Sequence, residues 1–149
     1  MLRAAAGLVL GYLVMAGTVV ILMSLAWMAT GPGFAFRGGS LDTSTGWSLL
    51  SMGLGLVCAG FGGRVAARFS SHAVPLLAGV VFVLGLLSAF GPAPDRPALE
   101  KPVAELSVFE AASYAVQPQW YRYAIPLVGA AGVLLGGAWR RTRHIPPGS

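Results

Sequence analysis

Acidic, basic and histidine side chains are few in this chain, and none falls in the core of a long apolar run. The five acids, Asp42, Asp95, Glu100, Glu105 and Glu110, stand singly between the apolar runs, and His72 and His144 flank them. Proton- or sodium-coupled export needs a carboxylate within the membrane. Intramembrane aspartyl hydrolysis and metal-dependent lipid phosphotransfer need paired acids that activate water or hold a metal. The sequence offers neither. Quinone-linked disulfide exchange needs a cysteine pair, whereas Cys58 is alone, and a b-type haem needs axial histidines within helices. Cys58 therefore reads as a small packing residue in apolar surroundings. Thr18, Ser24, Ser48, Ser51 and Ser88 can return hydrogen bonds to their own helix backbones, and Ser51 has no base beside it to activate it. The expectation is a non-enzymatic protein with no cofactor and no metal site.

The elements that carry these residues follow from composition. Of 149 residues, 56% are apolar and 10% charged, against about 25% charged in a soluble domain. Mean hydropathy is +0.73. Too few charges remain to cover a water-facing surface, so the chain is expected to be an integral membrane protein. Runs at 4–29, 46–64, 73–90 and 121–139 each approach the ~20 residues that cross a ~30 Å hydrocarbon core. The first is longer than the ~7 to 15 apolar residues of a secretory signal, which favours a retained, tilted helix ended by Gly31-Pro32-Gly33. The predicted fold is an all-α bundle of four transmembrane helices in a single membrane domain, with outer loops at 30–45 and 91–120.

Charge sets the orientation, because short loops rich in Lys and Arg stay cytoplasmic. Arg3, Arg64, Arg68, Arg140, Arg141 and Arg143 lie at the chain ends and between the second and third runs, with no acid among them. The other two loops hold all five acids against Arg37, Arg96, Lys101 and Arg122. Both termini are therefore expected in the cytoplasm, with Arg64, Arg68, Arg140, Arg141 and Arg143 as the topology determinants. Because most basic residues sit where this rule demands them, the sequence pI of 10.2 does not point to nucleic acid. Arg37, Trp47, Trp120, Tyr121, Arg122 and Tyr123 form a cationic and aromatic rim at the outer boundary. It reads as an anchoring belt, with a lipid headgroup, quinone or pigment-like ligand as the alternative.

Helices in lipid associate where small residues let backbones approach. Gly7 and Gly11, the ladder Gly55, Ala59 and Gly63, and the pair Gly132 and Gly136 supply such lines. They can pack the bundle internally or dock another subunit. The second and fourth helices both begin near a tryptophan, Trp47 or Trp120, and end in a glycine pair followed by arginine. Two tandem hairpins would produce this pattern, and so would the general preference for tryptophan outside and arginine inside. In the long outer loop, Val103, Leu106, Phe109 and Ser113 recur at helical spacing behind Pro102, which predicts a short interfacial helix over 103–114. Glu110 falls on its apolar side, and an extended segment from Glu105 to Glu110 is the alternative.

The stretch Gly62-Gly63-Arg64-Val65-Ala66-Ala67-Arg68 followed by His72-Ala73, and Trp120-Tyr121 leading to Gly136-Gly137 and the terminal arginines, resembles small four-span bacterial membrane proteins of uncharacterised function. That resemblance implies a helical bundle in a bacterial inner membrane and carries no activity, cofactor or catalytic residue with it. Taken together, the sequence supplies contact surfaces and withholds chemistry. It suggests an accessory subunit that meets the lipid bilayer and other membrane subunits, or itself, through glycine-rich faces and outer loops. A small homo-oligomeric transporter, channel or lipid-handling protein is the alternative.

Overall fold

A computed structural model describes residues 2–91 and 102–142. The helices are α1 (Leu2–Ala35), α2 (Thr45–Phe69), α3 (Ala73–Phe90), α4 (Val108–Tyr114) and α5 (Gln119–Thr142), with a 3-10 turn at Val103–Glu105. All but α4 are long and apolar enough to cross a membrane. Arg143, His144 and the loop segment 92–101 with Asp95, Arg96, Glu100 and Lys101 lie outside the described residues.

The helix ends follow local chemistry. Helical φ/ψ breaks at Gly31 (φ 72°, ψ 171°), in the left-handed region that only glycine enters freely, and Pro32 then starts one further turn. The chain reverses at Gly38 and Gly39, again at positive φ. Ser44 caps α2 by accepting from the Trp47 N–H, while its own hydroxyl donates to the Phe34 carbonyl at 2.6 Å. One side chain thus joins the end of α1 to the start of α2. Helix α5 starts earlier than the apolar run does, which puts Pro126 beyond its first turn. There the missing N–H leaves the Arg122 carbonyl without its helical partner.

In the bundle, α2 lies between α1 and α5, and α5 lies between α2 and α3. The α2–α5 crossing is held by backbone. A Cβ on Gly136 would overlap the Gly60 carbonyl oxygen, one on Gly63 would overlap the Val133 carbonyl oxygen, and one on Gly132 would lie 2.7 Å from the Ala59 Cβ. Gly60 and Gly63 exchange with Val133 and Gly136 under a displacement of 73 residues, so the parallel pair has a local two-fold. The same displacement carries Trp47 onto Trp120.

Adjacent glycines point about 100° apart on a helix, and each pair serves two neighbours. Gly62 meets Gly11 of α1, where an added Cβ would be 2.7 Å from the carbonyl oxygen, while Gly63 meets α5. Gly136 meets α2, while Gly137 meets Val74 of α3 at 2.5 Å. Gly7 sits against Phe69, Ala66 and Ala73 at the turn between α2 and α3. The Gly7–Gly11 line, Ala59 with Gly63, and Gly132 with Gly136 are therefore filled by the chain's own helices. Gly55 differs, because an added Cβ would make only an ordinary 3.8 Å contact with Ile125. Its place is taken by Gly62, and α3 adds Gly85 against Pro126 at 2.9 Å. The core between these crossings holds Ala59, Ala66, Ala73, Val74, Leu77, Ala78 and Val133.

The contacts at Gly7 and Gly137 place the start of α1, the α2–α3 turn and the C-terminal part of α5 at one end. Both longer connections meet at the opposite end. Thr43 N–H donates to the Val116 carbonyl at 3.0 Å, and Val116 N–H donates to the Leu41 carbonyl at 2.9 Å.

Gly136→Ala should lower stability by about 1–3 kcal/mol, the cost of overpacking a tight contact. Gly79→Ala, where a Cβ meets nothing within 4 Å, should leave it unchanged or slightly raised. Unfolding titrations of the two variants in mixed micelles compare them directly.

Candidate functional site

The loop end holds the polar side chains that the bundle buries. Thr43, Ser48 and Ser51 are buried, and they form a chain of hydroxyls that ends on α5. Ser48 donates to the Ser44 carbonyl at 3.0 Å and lies 3.4 Å from the Thr43 hydroxyl. Ser51 donates to the Ser48 carbonyl at 3.0 Å and sits 2.9 Å from the buried Tyr121 hydroxyl. With the Ser51 hydrogen directed at its own helix, the Tyr121 phenol is the donor in the pair. Among the described residues, no buried side-chain nitrogen or oxygen lacks a partner. Such a network fixes α2 against α5 with its buried hydroxyls satisfied.

The rim residues do not converge on one ligand. Arg37 donates to the Thr45 hydroxyl at 2.6 Å. Trp47 stacks edge-on against Trp27 with centroids 5.8 Å apart, and Trp27 meets Phe36 in the same way at 6.0 Å. Arg122 reaches the end of α3 instead, donating to the Gly91 carbonyl at 2.7 Å and to the Ser88 carbonyl at 3.4 Å. It thereby satisfies the Gly91 carbonyl and adds to the Gly91 N–H bond already on Ser88, at a helix end that favours a cation. Tyr123 packs on Phe90 and Trp120 on Tyr121, each with centroids 5.9 Å apart. The six residues therefore serve three separate junctions, with Tyr121 turned into the core.

A second small core lies beneath the loops, where Ala35, Phe36, Leu106 and Ala111 are buried together with Trp27 and Trp47 packed against them. The segment 103–114 is not one helix. Ser107 is the N-cap of α4 and forms a capping box in which it accepts from the Glu110 N–H and the Glu110 carboxylate accepts from its N–H at 2.9 Å. Glu110 belongs to this cap, which explains the acid on the expected apolar side. The restart shifts the register, so Ala111 turns inward while Phe109 is 67% exposed.

Between α4 and the loop-end half of α1 runs a crevice of about 330 Å³ lined by Val20, Met23, Trp27, Phe109 and Ala112, with Ser24, Thr43 and Gln117 as its polar positions. At the other end of the bundle, the Arg64 guanidinium lies over the Trp139 ring at 5.9 Å, and Arg68 is exposed one turn further along α2. The backbones of Arg140 and Arg141 continue α5. His72 is exposed in the α2–α3 turn, and Cys58 is fully buried. Among the described residues, no three His, Cys, Asp or Glu side chains gather as metal ligands would.

The fold and the site define a multi-pass α-helical membrane protein. Comparison with protein-family models, curated proteins and solved structures returns no match.

The Ser51–Tyr121 pair predicts unequal single substitutions. Ser51→Ala leaves a buried phenol without an acceptor and should cost about 1–3 kcal/mol. Tyr121→Phe leaves Ser51 bonded to its own helix and should cost about 1 kcal/mol or less. Unfolding of the two variants and of the double variant, compared in one detergent, checks both the order and the coupling.

Proposed function

We propose that this chain is a non-enzymatic accessory subunit of a larger membrane complex in a bacterial inner membrane, with both termini in the cytoplasm. The observation that carries this reading is where the chain leaves unused binding capacity. The glycine lines close on neighbouring helices and the buried hydroxyls bond within the chain. What remains is surface. Toward lipid stand residues such as Leu13, Ile21, Leu87 and Leu135, all more than half exposed. At the loop end, a platform is stitched together by the pairing of Leu41 and Thr43 with Val116. Other membrane subunits would meet the apolar flanks and this platform rather than the glycine faces. The orientation rests on basic residues at the end that holds the termini and acids at the other. In that frame α4 lies at the outer interface, with Phe109 facing the headgroup region.

The crevice beside α4 supports a second reading, a small homo-oligomeric transporter, channel or lipid-handling protein, because an apolar cavity of this size suits a lipophilic ligand.

Extraction from the native membrane in mild detergent, followed by sizing and mass spectrometry, separates the two. A large particle with defined partners is the expected result, and a particle containing only this chain would sink the accessory reading in favour of the second. For orientation, Ser113→Cys and Ser71→Cys, each with Cys58→Ala, should differ in intact spheroplasts. An impermeant maleimide should label position 113 directly and position 71 only after permeabilisation, and the reverse pattern would invert the topology.

A further inference from the structure

On the lipid-facing side of the α2–α5 crossing lies a groove of about 220 Å³. Its floor is Gly60, Gly132 and Gly136, and its walls include Leu56, Phe61 and Leu135. The glycines that bring the two backbones together also leave no side chains along the outside of the seam. A Cβ added to Gly60 would find only the Gly132 carbonyl oxygen, at 3.8 Å, so the floor there is open. Lining its far end are Arg64 and Trp139, with the guanidinium over the indole ring.

Depth gives this arrangement its meaning. The 25 residues of α2 extend about 37 Å at ~1.5 Å per residue, more than a ~30 Å hydrocarbon core. Counted from Thr45, Arg64 lies about 28 Å along the helix. With the start of α2 at one boundary, its guanidinium comes to the other, where long basic side chains reach lipid phosphates. From Leu56 to Arg64 the groove runs about 12 Å, most of one leaflet. A furrow that is apolar along the leaflet and cationic at the headgroup level has the shape and charge of one molecule.

We propose that this groove holds an anionic phospholipid of the leaflet at the termini end, its phosphate at Arg64 and one acyl chain along the glycine floor. Arg68, one turn further along α2, adds positive charge toward the same headgroup layer, and a basic pocket between helices favours anionic over zwitterionic lipid. The indole of Trp139 seats at the boundary between chain and headgroup. This inference concerns the lipid-facing side of the seam and stands whether or not the chain has protein partners.

Trp139 provides the readout. The full chain is reconstituted in phosphatidylcholine vesicles containing a minor fraction of either brominated phosphatidylglycerol or brominated phosphatidylcholine, and tryptophan quenching is compared. Brominated phosphatidylglycerol should quench several-fold more at equal content, and the excess should vanish in Trp139→Phe, which assigns it to this residue. Arg64→Gln should reduce the excess to the phosphatidylcholine level, Arg64→Lys should keep most of it, and Arg37→Gln, at the other end, should leave it intact. Gly60→Leu, which fills the floor, should lower quenching by both lipids. Equal quenching of the unsubstituted protein by the two lipids would overturn the proposal. An excess that survives Arg64→Gln in a variant with unchanged helical content would overturn it as well.

Discussion

Everything else in the bundle depends on the backbone contact between α2 and α5. Lipid tails are as apolar as leucine, so helices gain little by hiding leucine from them, and association rests on close van der Waals contact. At Gly60 and Gly136, and again at Gly63 and Val133, carbonyl and α-carbon meet across the seam with no side chain between them. The consecutive glycines at 62–63 and 136–137 extend this contact in two directions. One of each pair closes the central seam, and the other receives α1 or α3. The bundle is therefore assembled outward from two glycine-lined helices, and its core is left with small residues such as Ala59, Ala66 and Ala73. Larger side chains fill it only where glycine leaves room, as Leu77 does beside Gly11.

Polar groups are arranged to suit that seam. Toward the loop end, the glycine line gives way to hydroxyls, and the Ser51–Tyr121 pair continues the α2–α5 contact by hydrogen bonding. Beyond it, the connections close over the bundle through the Ser44 cap, the Thr43–Val116 pairing and the Arg122 bonds to the end of α3. These bonds satisfy backbone groups that helix ends and loops would otherwise leave open. An arginine and a serine that could pass for ligand contacts are thus structural, and the aromatic rings fill the corners between them.

A bundle tied together in this way has consequences for its surroundings. The proposed accessory role assigns partners to the apolar flanks and the loop platform, because the small-residue faces are already occupied. The proposed lipid groove is the external side of the same seam, where the absence of side chains that admits a neighbouring helix on one face leaves a furrow on the other. Lipid binding there would occupy the seam's outer face and leave the loop end free.

How much of this could be read from residues alone varies with the length scale. Whereas the Ser44 cap of α2 is seen only in the structure, the four spans follow from hydropathy, and the end of the first from the Gly31-Pro32 break. These are local properties, since a span is set by the cost of placing backbone and charge in hydrocarbon. The glycine lines were visible too, but not their pairing, because spacing on one helix does not name the helix opposite. Gly55 fits the ladder and makes no tight contact, whereas Gly62, Gly85 and Gly137 do so. The helix expected over 103–114 restarts at Ser107, whose capping box was recognisable only as Ser-x-x-Glu, and the restart turned Ala111 inward in place of Phe109. The rim residues read from the sequence as one belt, whereas their division among three junctions depends on which helix end lies within reach of each. Sequence determined which segments are apolar enough to cross a membrane and which residue types their cores lack, because both are properties of single residues. Only the tertiary structure decided which surfaces are consumed and which are left for lipid or partners, because that depends on distances between residues some 70 positions apart, such as Ser51 and Tyr121.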